Sequence, residues 1–162
     1  MAAPSTGSPS ASERAEVAAL IGREPFTDFA VAVRCRHGRP VVLRNAPLDL
    51  RGRPFPTRDW LVARRLREAV SRLEAAGGVR ALEDDAEMQG HLLAAHARHA
   101  ALHAGHRVAG SGDPARVKCL HAHLAFALDE GGSPVGDWIL ARAGIAWPED
   151  CCPPAAATAG PA

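Results

Sequence analysis

The sequence predicts an α+β domain, a small antiparallel sheet of two or three strands packed with about five helices. Three observations carry that reading. Asp28 to Cys35, which alternates Phe29, Val31 and Val33 with smaller residues, and the β-branched run Pro40 to Arg44 flank a four-residue polar link, Arg36-His37-Gly38-Arg39, the pattern of an antiparallel hairpin. Around them lie segments with apolar residues at steps of three and four, bounded by Gly, Pro, Ser or Thr, the pattern of amphipathic helices. The 162 residues, 47% hydrophobic and 23% charged, suffice for one core and exclude a fibrous or wholly disordered chain.

Residues 1 to 11 are mostly Ser, Pro, Ala and Gly and are expected to be a disordered tail. Residues 12 to 147 form the expected domain. Residues 148 to 162, an Ala/Pro-rich stretch holding Cys151-Cys152, form a second expected tail. No apolar run reaches the length of a membrane span and no secretory leader is legible, so a cytoplasmic location is expected. The four cysteines, Cys35, Cys119, Cys151 and Cys152, then read as thiols.

The first helix runs from Ser12 to Ile21, with Glu13 and Glu16 in its first turn and Gly22 as its stop. After the two strands, Pro47, Pro54 and Pro56 limit further pairing. Thr57 is expected to cap a helix that continues to Ala76, burying Trp60, Ala63, Leu66, Val70 and Leu73. A third helix is expected over Glu83 to His103, where His96, His99 and His103 share one side. That stripe contains no carboxylate of its own, and a polar face is the plainer reading. Gly110-Ser111-Gly112 precedes Pro114 and lacks the lysine ending of a phosphate loop.

The stretch Val117-Lys118-Cys119-Leu120-His121-Ala122-His123 holds the only lysine, one cysteine and two of the eight histidines. It falls in the opening turns of a helix expected from Pro114 to Asp129, which would place Cys119 and His123 on neighbouring surface, with His121 nearly opposite unless the first turn is irregular. Cys119 and His123 can chelate together, and His96 and Cys35 are the candidate further ligands. Thiolate with imidazole favours zinc. In a metal-assisted reaction His121 is the candidate proton carrier, and Arg34, Arg44 and Lys118 are candidate holders of an anionic ligand. The plainer alternative makes Cys119 a small buried hydrophobe and the histidines satisfied polar neighbours. Ser133 with Pro134 opens a last helix to about Ala143.

Charge is uneven. Arg34 to Arg80 holds 12 arginines against four acids, a net +8 that leaves −7 for the rest of the chain. An internally compensated surface explains this, and an anionic small molecule or acidic protein partner is the alternative. Nucleic acid is the weakest expectation, because only Phe55 and Trp60 supply aromatic surface there.

Several blocks together resemble a bacterial family called domain of unknown function 501. They are Arg34-Cys35, Pro40-Val41-Val42, Asn45-Ala46-Pro47-Leu48, Pro54-Phe55-Pro56-Thr57 with Trp60-Leu61, Ser71-Arg72-Leu73-Glu74 with Gly77, Lys118 to His123 with Ala125, and Pro134-Val135-Gly136. The resemblance spans about Leu20 to Leu140. It implies a small cytoplasmic bacterial protein with no assigned activity. Frequent encoding near a septum-formation initiator implies a non-catalytic adaptor in cell division as an alternative to metal or anion binding. His99 stands where similar relatives often carry tyrosine, and His103 where they often carry arginine. The resemblance therefore favours His96, Cys119, His121 and His123, with Cys35, as the shared polar positions.

Overall fold

A computed structural model describes residues 8–152; both expected tails lie largely outside that range. Helix α1, Ala11–Ile21, opens on a capping box in which Ser10 and Glu13 satisfy each other's backbone amides, and closes on Gly22 at φ 75°. Strands β1, Thr27–Arg34, and β2, Pro40–Asp49, pair antiparallel, and β3, Asp59–Leu61, adds to the other edge of β2. The sheet is therefore three-stranded, in the order β1-β2-β3, and the α+β reading holds.

Among the described residues, six helices surround it. After α1 come α2, Arg64–Ala75, α3, Gly78–Glu83, and α4, Gln89–Leu102. A short 3-10 turn, Val108–Gly110, leads toward α5, Leu120–Asp129, and α6, Pro134–Ala143. Helix α5 is the axis of the domain. Leu120 and every residue from Ala122 to Leu128 are buried, as expected of a helix apolar on all sides. Leu66, Val70, Leu82, Leu92, Leu120, Leu124 and Ile139 form the main core with Val41, Val42 and Leu61 of the sheet. Helix α6 approaches so closely that a Cβ on Gly136 would sit 2.5 Å from the Ala127 Cβ.

Three boundaries differ from expectation. Thr57 caps no helix: Asp59-Trp60-Leu61 pair with Arg44-Leu43-Val42, and the Val62 amide bonds the Val41 carbonyl at 2.9 Å. The available edge of β2 outweighs the helical spacing of Trp60 and Ala63, so α2 begins only at Arg64. The helix expected over Glu83 to His103 is broken, because Asp84 to Met88 form turns in which the Asp85 carboxylate accepts the Glu87 amide. Helix α5 begins at Leu120, six residues later than the expected first position at Pro114, because Cys119 is extended at φ −161° and ψ 126°.

The expected tail boundary at Trp147 is also crossed by packing. Asp150 pairs with Arg65 at 3.1 Å and caps the Ala146 amide at 3.0 Å, and Cys151 is buried. Residues 1–7 and 153–162 lie outside the described range. Among the described residues, no helix is long and apolar enough to cross a membrane.

Candidate functional site

The extended backbone at Cys119 decides the site. It turns the thiol away from His123 and toward His121, leaving Cys119 Sγ 3.6 Å from His121 Nδ1. Glu74, near the end of α2, brings Oε1 to 3.2 Å from the same nitrogen. That oxygen also accepts the Leu120 amide at 2.6 Å, so Glu74 caps α5 while facing the histidine. The three ligand atoms of Glu74, Cys119 and His121 lie within 4.8 Å of one another.

The other side of His121 fixes its tautomer. Nε2 lies 3.1 Å from the Arg67 carbonyl and 3.2 Å from Ser71 Oγ. A carbonyl only accepts, so Nε2 carries the hydrogen. Neutral His121 therefore presents the Nδ1 lone pair toward a carboxylate oxygen and a sulfur. The Cys119 S–H can donate to the nitrogen or to the carboxylate oxygen, and a metal ion in place of that hydrogen would be met by all three groups.

These groups border a groove of about 410 Å³, lined by Cys119, His121, Ser71, Arg67, Thr57 and Asp59 among others. Burial, with the charge of Glu74 adding to it, raises the Cys119 thiol against the backbone amides of Ala122 and His121. The isolated thiol is therefore protonated at neutral pH, and a nucleophilic thiolate is disfavoured without a cation beside it.

The remaining expected ligands are distributed elsewhere. His123 is 2% exposed, both ring nitrogens lack partners among the described residues, and its ring meets that of His96 edge-on at 4.9 Å. Burial, then His96 and His99, pushes its pKa down to about 3. His96 holds the Arg116 carbonyl at 3.0 Å. Cys35 stands with Cys151 and Cys152, apart from Cys119. The set Cys35, His96, Cys119 and His123 is thus not assembled in one place.

The expected anion holders are also separated. Arg34 meets Glu13 at 3.0 Å, Arg44 grips Asp129 at 2.6 Å, and the Lys118 ammonium lies 3.5 Å from the Ala109 carbonyl. Arg53, Arg64, Arg65 and Arg80 likewise pair with Asp49, Glu68, Asp150 and Asp84. Much of the arginine-rich segment is internally compensated.

One carboxylate absent from the histidine stripe comes from the sheet. Asp59 Oδ2 lies 3.6 Å from His99 Nε2 and 3.8 Å from His103 Nε2. Neither Asp59 oxygen has a hydrogen-bond partner among the described residues. Burial, reinforced by Asp129, pushes Asp59 up to about 8, while burial and His99 push His103 down to about 4. An uncharged acid and uncharged imidazoles need no counterion at neutral pH, which makes this group a packed polar knot beneath the groove. His99 Nδ1 satisfies the His106 carbonyl at 2.5 Å.

Sequence reasoning missed Glu74 as a partner of Cys119 and His121. Its one signal was its place in the block Ser71-Arg72-Leu73-Glu74. Thr57, Trp60, Ser71, Cys119 and His121, drawn from three separated blocks, line the same groove.

The fold and this groove define a small α+β domain with a mixed thiol, imidazole and carboxylate cluster at a helix start. A model of the family described as "Protein of unknown function (DUF501)" matches residues 31–109 and 102–141, and the chain belongs to that family. No curated protein and no solved structure matches it.

Proposed function

We propose that this cytoplasmic bacterial protein binds a zinc ion through Glu74 Oε1, Cys119 Sγ and His121 Nδ1. The observation that carries the reading is the fit of distances. Zinc bonds of about 2.3 Å to sulfur and about 2.1 Å to nitrogen and oxygen in a tetrahedron give S···N near 3.6 Å and N···O near 3.4 Å. The observed values are 3.6 Å and 3.2 Å. The Arg67 carbonyl supplies the outer partner that holds a ligating imidazole in its tautomer.

Three protein ligands leave a coordination position toward the groove, the pattern of zinc centres that take up water or a small ligand rather than purely structural ones. Hydrolysis is the reaction class such a centre serves. Zinc affinity, measured by competition with a chromophoric chelator, tests the assignment. Cys119→Ser, His121→Ala and Glu74→Gln should each weaken binding well beyond any change from His123→Ala. Equal affinities in all four variants would overturn it.

A second reading, a non-catalytic adaptor in cell division, has one observation in its favour. Phe26, Leu48 and Leu50 are exposed by 50% or more near one end of the sheet, and Phe26 and Leu50 line a depression of about 650 Å³. Apolar surface of this kind suits a protein partner. On that reading Leu50→Asp abolishes partner binding and leaves zinc affinity unchanged.

A further inference from the structure

We propose that Cys35, Cys151 and Cys152 form a separate, all-thiolate site for a soft d10 ion, copper(I) or zinc(II), that ties the C-terminal segment to the β1–β2 turn. The three sulfurs lie within 4.8 Å of one another although they come from opposite ends of the described chain. Cys35 Sγ and Cys152 Sγ are 3.4 Å apart. Metal–sulfur bonds of about 2.3 Å place tetrahedral ligands about 3.8 Å apart, whereas a disulfide closes to about 2.05 Å. The spacing is near that of ligands around an ion.

The surroundings favour a thiolate at Cys35. Cys35 opens the hairpin turn, where the Gly38 amide bonds its carbonyl at 2.8 Å and the His37 amide points at its sulfur at 3.4 Å. Amide donors directed at sulfur stabilise the charged form that a metal requires. The C-terminal segment is held in place without the sulfurs: Arg36 donates to the Glu149 carbonyl at 3.3 Å, and Arg65 pairs with Asp150 at 3.1 Å. Arg36, next to Cys35 in the chain, brings a positive charge to this segment, while Arg65 is already paired with Asp150. Cys35 and Cys151 are buried, and Cys152 is partly exposed, which gives an ion a way in.

The ligand set selects the ion. Soft sulfur donors prefer copper(I) and zinc to hard cations. Three thiolates complete a trigonal copper(I) shell, while zinc would take a fourth ligand from solvent. The site shares no residue with Glu74, Cys119 and His121, so each can fail alone.

The test uses the full-length Cys119→Ser variant, reduced and metal-free, titrated separately with cobalt(II) as a zinc probe and with chelator-buffered copper(I). Alkylation of each cysteine is followed by mass spectrometry. The expected result is a sulfur-to-metal charge-transfer band that saturates near one equivalent, with loss of alkylation at Cys35, Cys151 and Cys152 together. Saturation by copper(I) alone identifies a trigonal site, and saturation by both ions a site that admits a fourth ligand. Unprotected cysteines with no band for either ion would overturn the proposal. So would a band that survives Cys35→Ser/Cys152→Ser. Protection in the chain that retains all three cysteines keeps the test decisive should the serine variants fail to fold.

Discussion

Glu74 and His121 meet at 3.2 Å beside the groove, and the same Glu74 oxygen accepts the first amide of α5. One carboxylate thus both starts the central helix and faces the candidate ligand nitrogen. The two roles are separable. Glu74→Gln keeps an oxygen for the Leu120 amide but loses the charge, so it should weaken zinc binding about 10- to 100-fold and leave melting of the metal-free protein nearly unchanged. Glu74→Ala loses both and should cost about 1 kcal/mol more stability, as removal of a helix cap does. Chelator competition and thermal unfolding read the two effects independently.

Arg44 and Asp129 make the best-shielded ion pair in the domain. Two nitrogens of Arg44 contact the Asp129 carboxylate at 2.6 to 2.9 Å, and the acid side chain is 6% exposed. Asp129→Asn leaves the guanidinium half paired beneath the sheet and should cost about 3 kcal/mol. Arg44→Met/Asp129→Leu should recover much of that in urea unfolding, because the apolar pair removes both charges.

His123 sets a pH limit. Its folded pKa, about 3, lies below the ordinary histidine value of 6.5, so the unfolded chain takes up the proton first. Stability is therefore full above about 6.5 and declines as pH falls toward 3. Between pH 6.5 and pH 5 the loss is roughly 2 kcal/mol for this one group. His123→Leu, which also removes two unpartnered ring nitrogens, should flatten that part of the stability curve. Unfolding midpoints of parent and variant at pH 5 and pH 8 check it, with the larger gain expected at pH 5.

Gly136 is a contact rather than a turn. A methyl there would fall 2.5 Å from Ala127 Cβ, and α5 is too enclosed to yield. Gly136→Ala should destabilise by about 1 to 3 kcal/mol, as overpacking does, whereas Gly90→Ala, which meets open space, should not.

Most of the architecture was legible because its signals are local. Glu13, Gly22, Ser133 with Pro134, and the polar link between β1 and β2 each act within a few residues, and α1, the hairpin and α6 fall close to where they indicate, although the cap of α1 is Ser10, inside the expected tail, and not Ser12. The missed elements depend on distant partners. Trp60 carries helical spacing but is claimed by the β2 edge, and Cys119 is drawn out of its helix while Glu74, far away in sequence, takes over the start of α5. The sequence placed chemistry at Lys118 to His123, and the groove is there; it could not show that His121, not His123, shares it with Cys119. Cys151 and Cys152 read as tail because their anchors, Arg36 and Arg65, lie more than a hundred and some eighty residues earlier.

The central claim, an ion held by Glu74, Cys119 and His121, is tested most directly by an anomalous difference map at the zinc edge from crystals of the zinc-loaded protein. The account predicts a peak within bonding distance of Glu74 Oε1, Cys119 Sγ and His121 Nδ1, with His121 Nε2 still bonded to the Arg67 carbonyl. A map without a peak there, with His121 Nδ1 hydrogen-bonded directly to Glu74, would contradict it and leave the cluster a half-buried ion pair beside a thiol.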